Sequence, residues 1–408
     1  MTTLDNAKDI LITNDIDGYS TRPSPKLYPY QWFWDSCFIA IGYSHFDIDR
    51  AKREILGILE SQWANGMIPH IKFNSKTKGY FPSPDKWKIP EPKLTSGITQ
   101  PPMLAIAVWE IYNKDRDKKF LRIVFEKIKK YHEYLAKYRE NENLLFIDHP
   151  WESGTDDNPI YDETLRRIKI TISLRYKRKD NKIIASSHRP TKEHYDRYIF
   201  LLQEFAKYKY KINIIKNRSQ FIIEDVLFNS IWCEANLCMG YIAREIGEKS
   251  LQFLDWYEAT KKKMREKLVD KYYFSFDVKN KTLIKKKSCA SFLPLFAKIS
   301  SRKEAEEILK LINDFTLKFP VCTYDPKSPE FDPKRYWRGP VWININWFLI
   351  RGLMKYGFVK KANEIKMKTI NLIKKHGFYE YFNPKTGEGY GADNFSWTAA
   401  LLIDLFND

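Results

Sequence analysis

The sequence predicts an all-α protein, a toroid in which inner helices alternate with outer ones, carrying small β-hairpin insertions on one rim. Helical periodicity recurs from one end of the 408-residue chain to the other. Several helical segments are apolar nearly all round and belong inside, whereas others carry one charged face and belong outside. Strand signals are few and fall between helical blocks.

The elements follow in chain order. An aromatic run at 28–35 stands just before an apolar helix. Ala51, Ile55, Ile58 and Gln62 share one face of the next segment, and 98–112 is apolar nearly all round. Leu121, Val124, Ile128, Tyr131 and Leu135 form a stripe opposite a charged face. Ile168, Ile170, Ile172 and Leu174 alternate with Lys169, Thr171 and Ser173, and Asp180-Asn181 turns the chain toward Ile183-Ile184, which predicts a hairpin. Helical patterns return at 192–208, 219–245 and 251–267. Residues 272–278 and 282–285, joined by Lys279-Asn280-Lys281, predict a second hairpin. Ser301-Arg302-Lys303-Glu304 is a capping box opening a helix with Ala305, Ile308, Leu309 and Ile312 inside. Segments 342–356, 359–374 and 394–406 complete the set. No Gly/Ser linker divides the chain, so residues 1–408 read as one domain. The helices do not repeat in sequence, which excludes an obvious solenoid.

Composition narrows the function. Hydrophobic content of 43% sustains a large core, and the aromatic content of 15%, with 12 Trp and 25 Tyr, suits half-wet clefts as well as cores. The net charge of +18 raises a polyanion partner, but the lysines are spread along the chain without a basic stripe, so nucleic acid is not the expected partner. Cys37, Cys233, Cys238, Cys289 and Cys322 are odd in number and lack CxxC spacing, as expected of reduced thiols rather than a disulfide framework or a metal site. The polar N-terminus has no signal-peptide core and no window spans a membrane, so a soluble cytoplasmic protein is expected, without cofactor or metal. Its partner is a small molecule; oligomeric state is not legible.

Four clusters carry chemistry. His149-Pro150-Trp151-Glu152-Ser153-Gly154-Thr155-Asp156-Asp157-Asn158-Pro159 places three carboxylates beside a tryptophan in a loop. A carboxyl against an aromatic wall loses solvation, and its pKa rises into the range of a general acid; an acidic loop capping a helix reads the same way. Tyr28-Pro29-Tyr30-Gln31-Trp32-Phe33-Trp34-Asp35 joins rings that stack on a sugar's C–H face to an acid that accepts from vicinal hydroxyls. Arg335-Tyr336-Trp337-Arg338-Gly339-Pro340-Val341-Trp342 reads as a cleft lining, with surface cation–π stacking as its plainer account. In Thr386-Gly387-Glu388-Gly389 the flanking glycines leave Glu388 uncovered, and Glu380 stands upstream as the reserve acid. Two carboxylates from distant loops, here Asp156 and Glu388, are the minimal kit for glycoside hydrolysis. No GxGxxG, GKS/T or GxSxG motif offers another chemistry.

Together these runs, with Gly97-Ile98-Thr99-Gln100-Pro101-Pro102 and the stretch 324–347, resemble glycoside hydrolase family 63, and within it the glucosylglycerate and mannosylglycerate hydrolases. The resemblance implies an (α/α)6 toroid and an inverting α-glycosidase. It implies Asp156 as general acid and Glu388 as general base. Tyr28, Trp34 and Asp35 match sugar-binding positions, as do Tyr336, Trp337 and Trp342. Tyr80, Gln100, Arg189 and Tyr195 match positions that hold glycerate, a task a guanidinium suits because it grips a carboxylate bidentately. Where the family often has Met-Asp-Asn, this chain has Thr155-Asp156-Asp157, and the extra acid bears on the pKa of Asp156. The rival readings are a hydrolase of neutral α-glucosides or α-mannosides and a sugar-binding protein without catalysis.

Overall fold

The computed structural model describes residues 2–77 and 80–407. Its principal helices are α1 (Thr3–Asn14), α2 (Phe33–Tyr43), α3 (Ile48–Leu59), α4 (Leu104–Asp115), α5 (Lys118–Tyr138), α6 (Lys192–Lys207), α7 (Val226–Ile246), α8 (Leu251–Lys267), α9 (Arg302–Phe315), α10 (Ile343–Lys355), α11 (Val359–His376) and α12 (Ser396–Asn407). Helices α2, α4, α7, α10 and α12, with the 3-10 segment Cys289–Leu295, form a closed ring in which each member packs on the next and α12 returns to α2. Helices α1, α3, α5, α8, α9 and α11 lie outside them. This is the (α/α)6 toroid, with α6 as an insertion.

Hydrophobicity sorts the two layers. Every residue of α2 is buried, whereas α5 buries Leu121, Val124, Ile128, Tyr131 and Leu135 and turns its lysines outward. The expected capping box holds: Ser301 Oγ accepts from Glu304 N–H, and the Glu304 carboxylate accepts from Ser301 N–H. Ring closure rests on aromatics. Phe38 of α2 meets Trp347 and Phe348 of α10 and Trp397 of α12 edge-on, with centroids 5.6–5.8 Å apart, the geometry ring quadrupoles favour.

The connections alternate in length. Inner helices pass to outer ones through two to six residues. Outer helices return through long segments, and the strands lie in these returns. Gln31–Trp32 pairs with Ile71–Lys72, Tyr379–Phe382 pairs with Gly389–Asp393, and a five-stranded antiparallel sheet runs from Glu140–Asn141 to Thr282–Leu283. The β structure therefore gathers at the end of the ring where inner helices begin.

The second expected hairpin forms, with Phe276–Asp277 pairing Thr282–Leu283. The first does not: residues 168–179 hold no strand, and Ile170, Ile172 and Ile183 are exposed. Alternation makes a strand only where one face is covered along its length, and here Ile168 is buried and Leu174 packs on the core while Ile170 and Ile172 between them are not covered. Helix bounds shift where turn chemistry intervenes. Helix α4 starts at Leu104, after Pro101-Pro102, rather than at 98, and α3 ends at Leu59, short of Gln62.

Candidate active site

A cavity opens where the inner helices begin. Three inner helices deliver aromatic side chains from their first residues: Trp34 in the first turn of α2, Trp342 at the cap of α10, Trp397 in the first turn of α12. The 28–35 run is fixed from behind by one acid. Glu54 accepts from Gln31 Nε2 at 2.8 Å and Ser36 Oγ at 2.6 Å, and is itself held by Arg50 at 2.8 Å. Gln100 Oε1 accepts from Trp34 N–H at 3.2 Å, tying the 97–102 run to α2.

The acidic loop divides its three carboxylates between two jobs. Glu152 is fully buried, paired with Arg139, and accepts from the N–H groups of Asp148 and Thr99. Asp157 takes both arms of Arg335, at 2.9 and 3.0 Å, and lies 3.0 Å from His194 Nδ1. Neither lines the cavity, and Asp156, between them, does. Burial is the largest cause pushing Asp156 up to about 7; the charges of Asp157 and Glu380 add to it and Arg189 opposes it. Gly154 allows this arrangement. Its φ is +72°, and a Cβ there would stand 2.6 Å from the Trp34 ring, so both the turn and the indole's approach need glycine.

All ten residues matched to substrate contacts line this cavity: Tyr28, Trp34, Asp35, Tyr80, Gln100, Arg189, Tyr195, Tyr336, Trp337 and Trp342. Trp337 and Trp342 stack face to face at 3.7 Å. Burial pushes the Asp35 carboxyl well above its usual range. Arg189 lies over the Tyr336 ring at 4.2 Å and donates to the Tyr28 hydroxyl at 3.0 Å.

Glu388 is the exception. It is exposed beside the turn of the 379–393 hairpin, accepts a 2.6 Å bond from the Tyr390 hydroxyl, and does not line the cavity. The acid of this hairpin that does is Glu380, 1% exposed on the strand Tyr379–Phe382. Its Oε1 accepts from Tyr28 O–H at 2.8 Å and its Oε2 from Ala392 N–H at 3.0 Å, with Arg189 Nη1 3.6 Å away. Burial raises its pKa against the pull of Arg189, Tyr28 and Ala392. The glycines do mark the site, but for a different acid. Gly391 has a φ of +73°, and a Cβ on it would stand 2.2 Å from Glu380 Oε2. Glycine there leaves room for the carboxylate across the hairpin, whereas Gly387, with a φ of +80°, serves the turn and Gly389 leaves room for the Tyr379 ring.

Trp32, Trp151 and Trp397 also line the cavity, and the sequence reading does not single them out as contacts. Their signal is position: each lies at or beside one of the chemistry-bearing runs, and Trp32 and Trp397 flank an inner-helix start.

A deep cleft walled by tryptophans, with a buried protonatable carboxyl and a second carboxylate held by donors, at one end of an (α/α)6 toroid, defines a glycoside hydrolase. The family model of the mannosylglycerate hydrolase MGH1-like glycoside hydrolase domain matches residues 28–398. The chain belongs to that family. A mannosylglycerate hydrolase of Rubrobacter radiotolerans is 38% identical over 95% of this chain and 93% of its own. A glucosylglycerate hydrolase of Mycolicibacterium hassiacum is 32% identical over 97% and 95%. The crystal structure of the GH63 mannosylglycerate hydrolase from Thermus thermophilus in complex with Tris and D-glycerate matches with a TM-score of 0.96 at 37% identity, covering 100% of both chains.

Proposed function

We propose that this enzyme hydrolyses an α-glycoside of glycerate, mannosylglycerate or glucosylglycerate, with inversion at the anomeric carbon. The observation that carries the reading is the meeting, in one aromatic-walled cavity, of Asp156, Glu380 and Arg189. Asp156, pushed up to about 7, keeps a proton to give to the glycosidic oxygen. Glu380 replaces Glu388 as the base. Its donors favour the anion, which takes a proton from a water attacking the opposite face of the sugar. Trp34, Asp35 and the Trp337–Trp342 stack bind the sugar, while Tyr80, Gln100, Tyr195 and Arg189 take the glycerate. The relatives' names support this substrate class, and so does a buried cation beside the acid pair.

A proton NMR time course on α-mannosylglycerate, α-glucosylglycerate and a neutral α-glucobiose tests it. Release of the β-anomer from a glycerate glycoside is the expected result. Turnover of the neutral sugar alone overturns the substrate, and release of the α-anomer overturns inversion. The pH profile carries its own sign. Activity declines as pH rises through about 7, where Asp156 loses its proton.

A further inference from the structure

Residues 167–191 pass the cavity without regular strand and are fastened by side chains. Tyr176 stacks on Phe81, and Arg178 lies over the Tyr195 ring at 4.2 Å. The next acid, Asp180, is pinned between two arginines. Arg178 grips it with both arms, Nε to Oδ1 at 3.0 Å and Nη2 to Oδ2 at 2.5 Å. Arg189 reaches the same Oδ2 with its Nε at 3.3 Å, a longer and weaker bond. Side-chain exposure is 8% for each arginine and 11% for Asp180, so these charges interact with little screening.

The cation assigned to the substrate's carboxylate therefore already has a carboxylate of its own chain against it. That contact is the weak one of the cluster, and Asp180 retains Arg178 when it is given up. We propose that Asp180 is a specificity-determining residue that moderates the preference for acid: it competes with an anionic aglycone for Arg189 and so raises KM for acidic glycosides, while neutral glycosides, which do not displace it, are left nearly unaffected. The proposal rests on the reading of Arg189 as a glycerate clamp. A carboxylate ligand replaces like with like and forms a stronger charge-assisted bond. A hydroxyl in its place offers Arg189 less than Asp180 does. The attraction of Arg189 for a carboxylate sets the preference, and the internal competitor lowers it, because specificity is a difference of two affinities and only the acidic ligand bears the cost of displacement.

The test compares α-mannosylglycerate with α-mannosylglycerol, which differ by carboxylate against hydroxymethyl. The readout is the ratio of KM for the neutral glycoside to KM for the acidic one. In Asp180→Asn the ratio rises about fivefold, on the scale of one weakened bond to a charged group. In Arg178→Gln it falls several-fold, because Asp180 turns wholly to Arg189. The double variant returns to the Asp180→Asn value. An unchanged ratio in Asp180→Asn, or an Arg178→Gln effect that survives in the double variant, overturns the proposal. A wild-type ratio at or below one overturns the glycerate reading first, and is distinguishable because it needs no variant.

Discussion

Asp156 and Asp404 are both buried acids of the same ring, and they live in opposite worlds. Asp156 lies where the inner helices begin, between long connections. Asp404 lies seven residues into α12 beyond Trp397, about 10 Å along the axis toward the short turns. Asp404 receives Trp347 Nε1 at 2.7 Å, Arg351 at 2.9 Å and His45 Nε2 at 2.8 Å. Burial opposes ionisation there, but His45, Arg351 and Trp347 outweigh it and hold the carboxyl well below its usual range. At Asp156 burial wins instead. Burial alone therefore assigns no role to an acid. The donors left around it decide whether it ties helices together or keeps a transferable proton.

The comparison breaks first on turnover. Asp156→Asn and Glu380→Gln each lower kcat by about 10²–10⁴, the usual worth of a positioned general acid or base, with the fold intact by circular dichroism. If either variant retains more than about a tenth of wild-type kcat, its carboxyl is not the acid or base.

Stability separates the two ends with opposite signs. Between about pH 4, where an unfolded Asp ionises, and about 7, where native Asp156 does, the native state holds a proton the unfolded chain has released. Stability accordingly falls as pH rises through that window. Asp156→Asn removes this penalty, so at pH 8 it is more stable than wild type by an amount on the order of a few kcal/mol and unfolds at a higher temperature. Asp404 has a depressed native pKa, so its contribution is present above about pH 4 and is lost as pH falls. Asp404→Asn loses about 3 kcal/mol near neutrality, as expected when one member of a buried charge group is removed, and the difference from wild type shrinks in acid. Calorimetric scans at pH 5 and pH 8 check the first, and a further scan at about pH 3, below the unfolded Asp value, checks the second. Shifts of the same sign at pH 8 would end the contrast.

The ring was legible because its layers differ in hydrophobicity: all-buried α2 and half-charged α5 announce inside and outside. Its sixth inner member was not, since Cys289–Leu295 is a short 3-10 segment containing Pro294, and Pro lacks the N–H a longer helix needs. The hairpin expected at 168–184 failed because alternation cannot report whether a face is covered. In the site, the family resemblance and the aromatic runs led to ten cavity residues and Asp156. Asp156 could not be told from Glu152 and Asp157 by local sequence, because their neutralising partners Arg139 and Arg335 come from elsewhere in the chain.

Glu388 gives the smallest expected effect and the sharpest check on how glycines are read. Its carboxylate is exposed and its one close partner among the described residues is the Tyr390 hydroxyl, at 2.6 Å. Glu388→Gln retains an acceptor for that bond and alters no group lining the cavity. Its kcat and KM therefore stay within about twofold of wild type, the scale of surface substitutions. A loss of a hundredfold or more would mean that the hairpin turn swings Glu388 to the sugar during the reaction, and Glu380 would return to a binding role. Equal turnover in Glu388→Gln and wild type, beside a silent Glu380→Gln, leaves the base on the strand, in the space Gly391 keeps open.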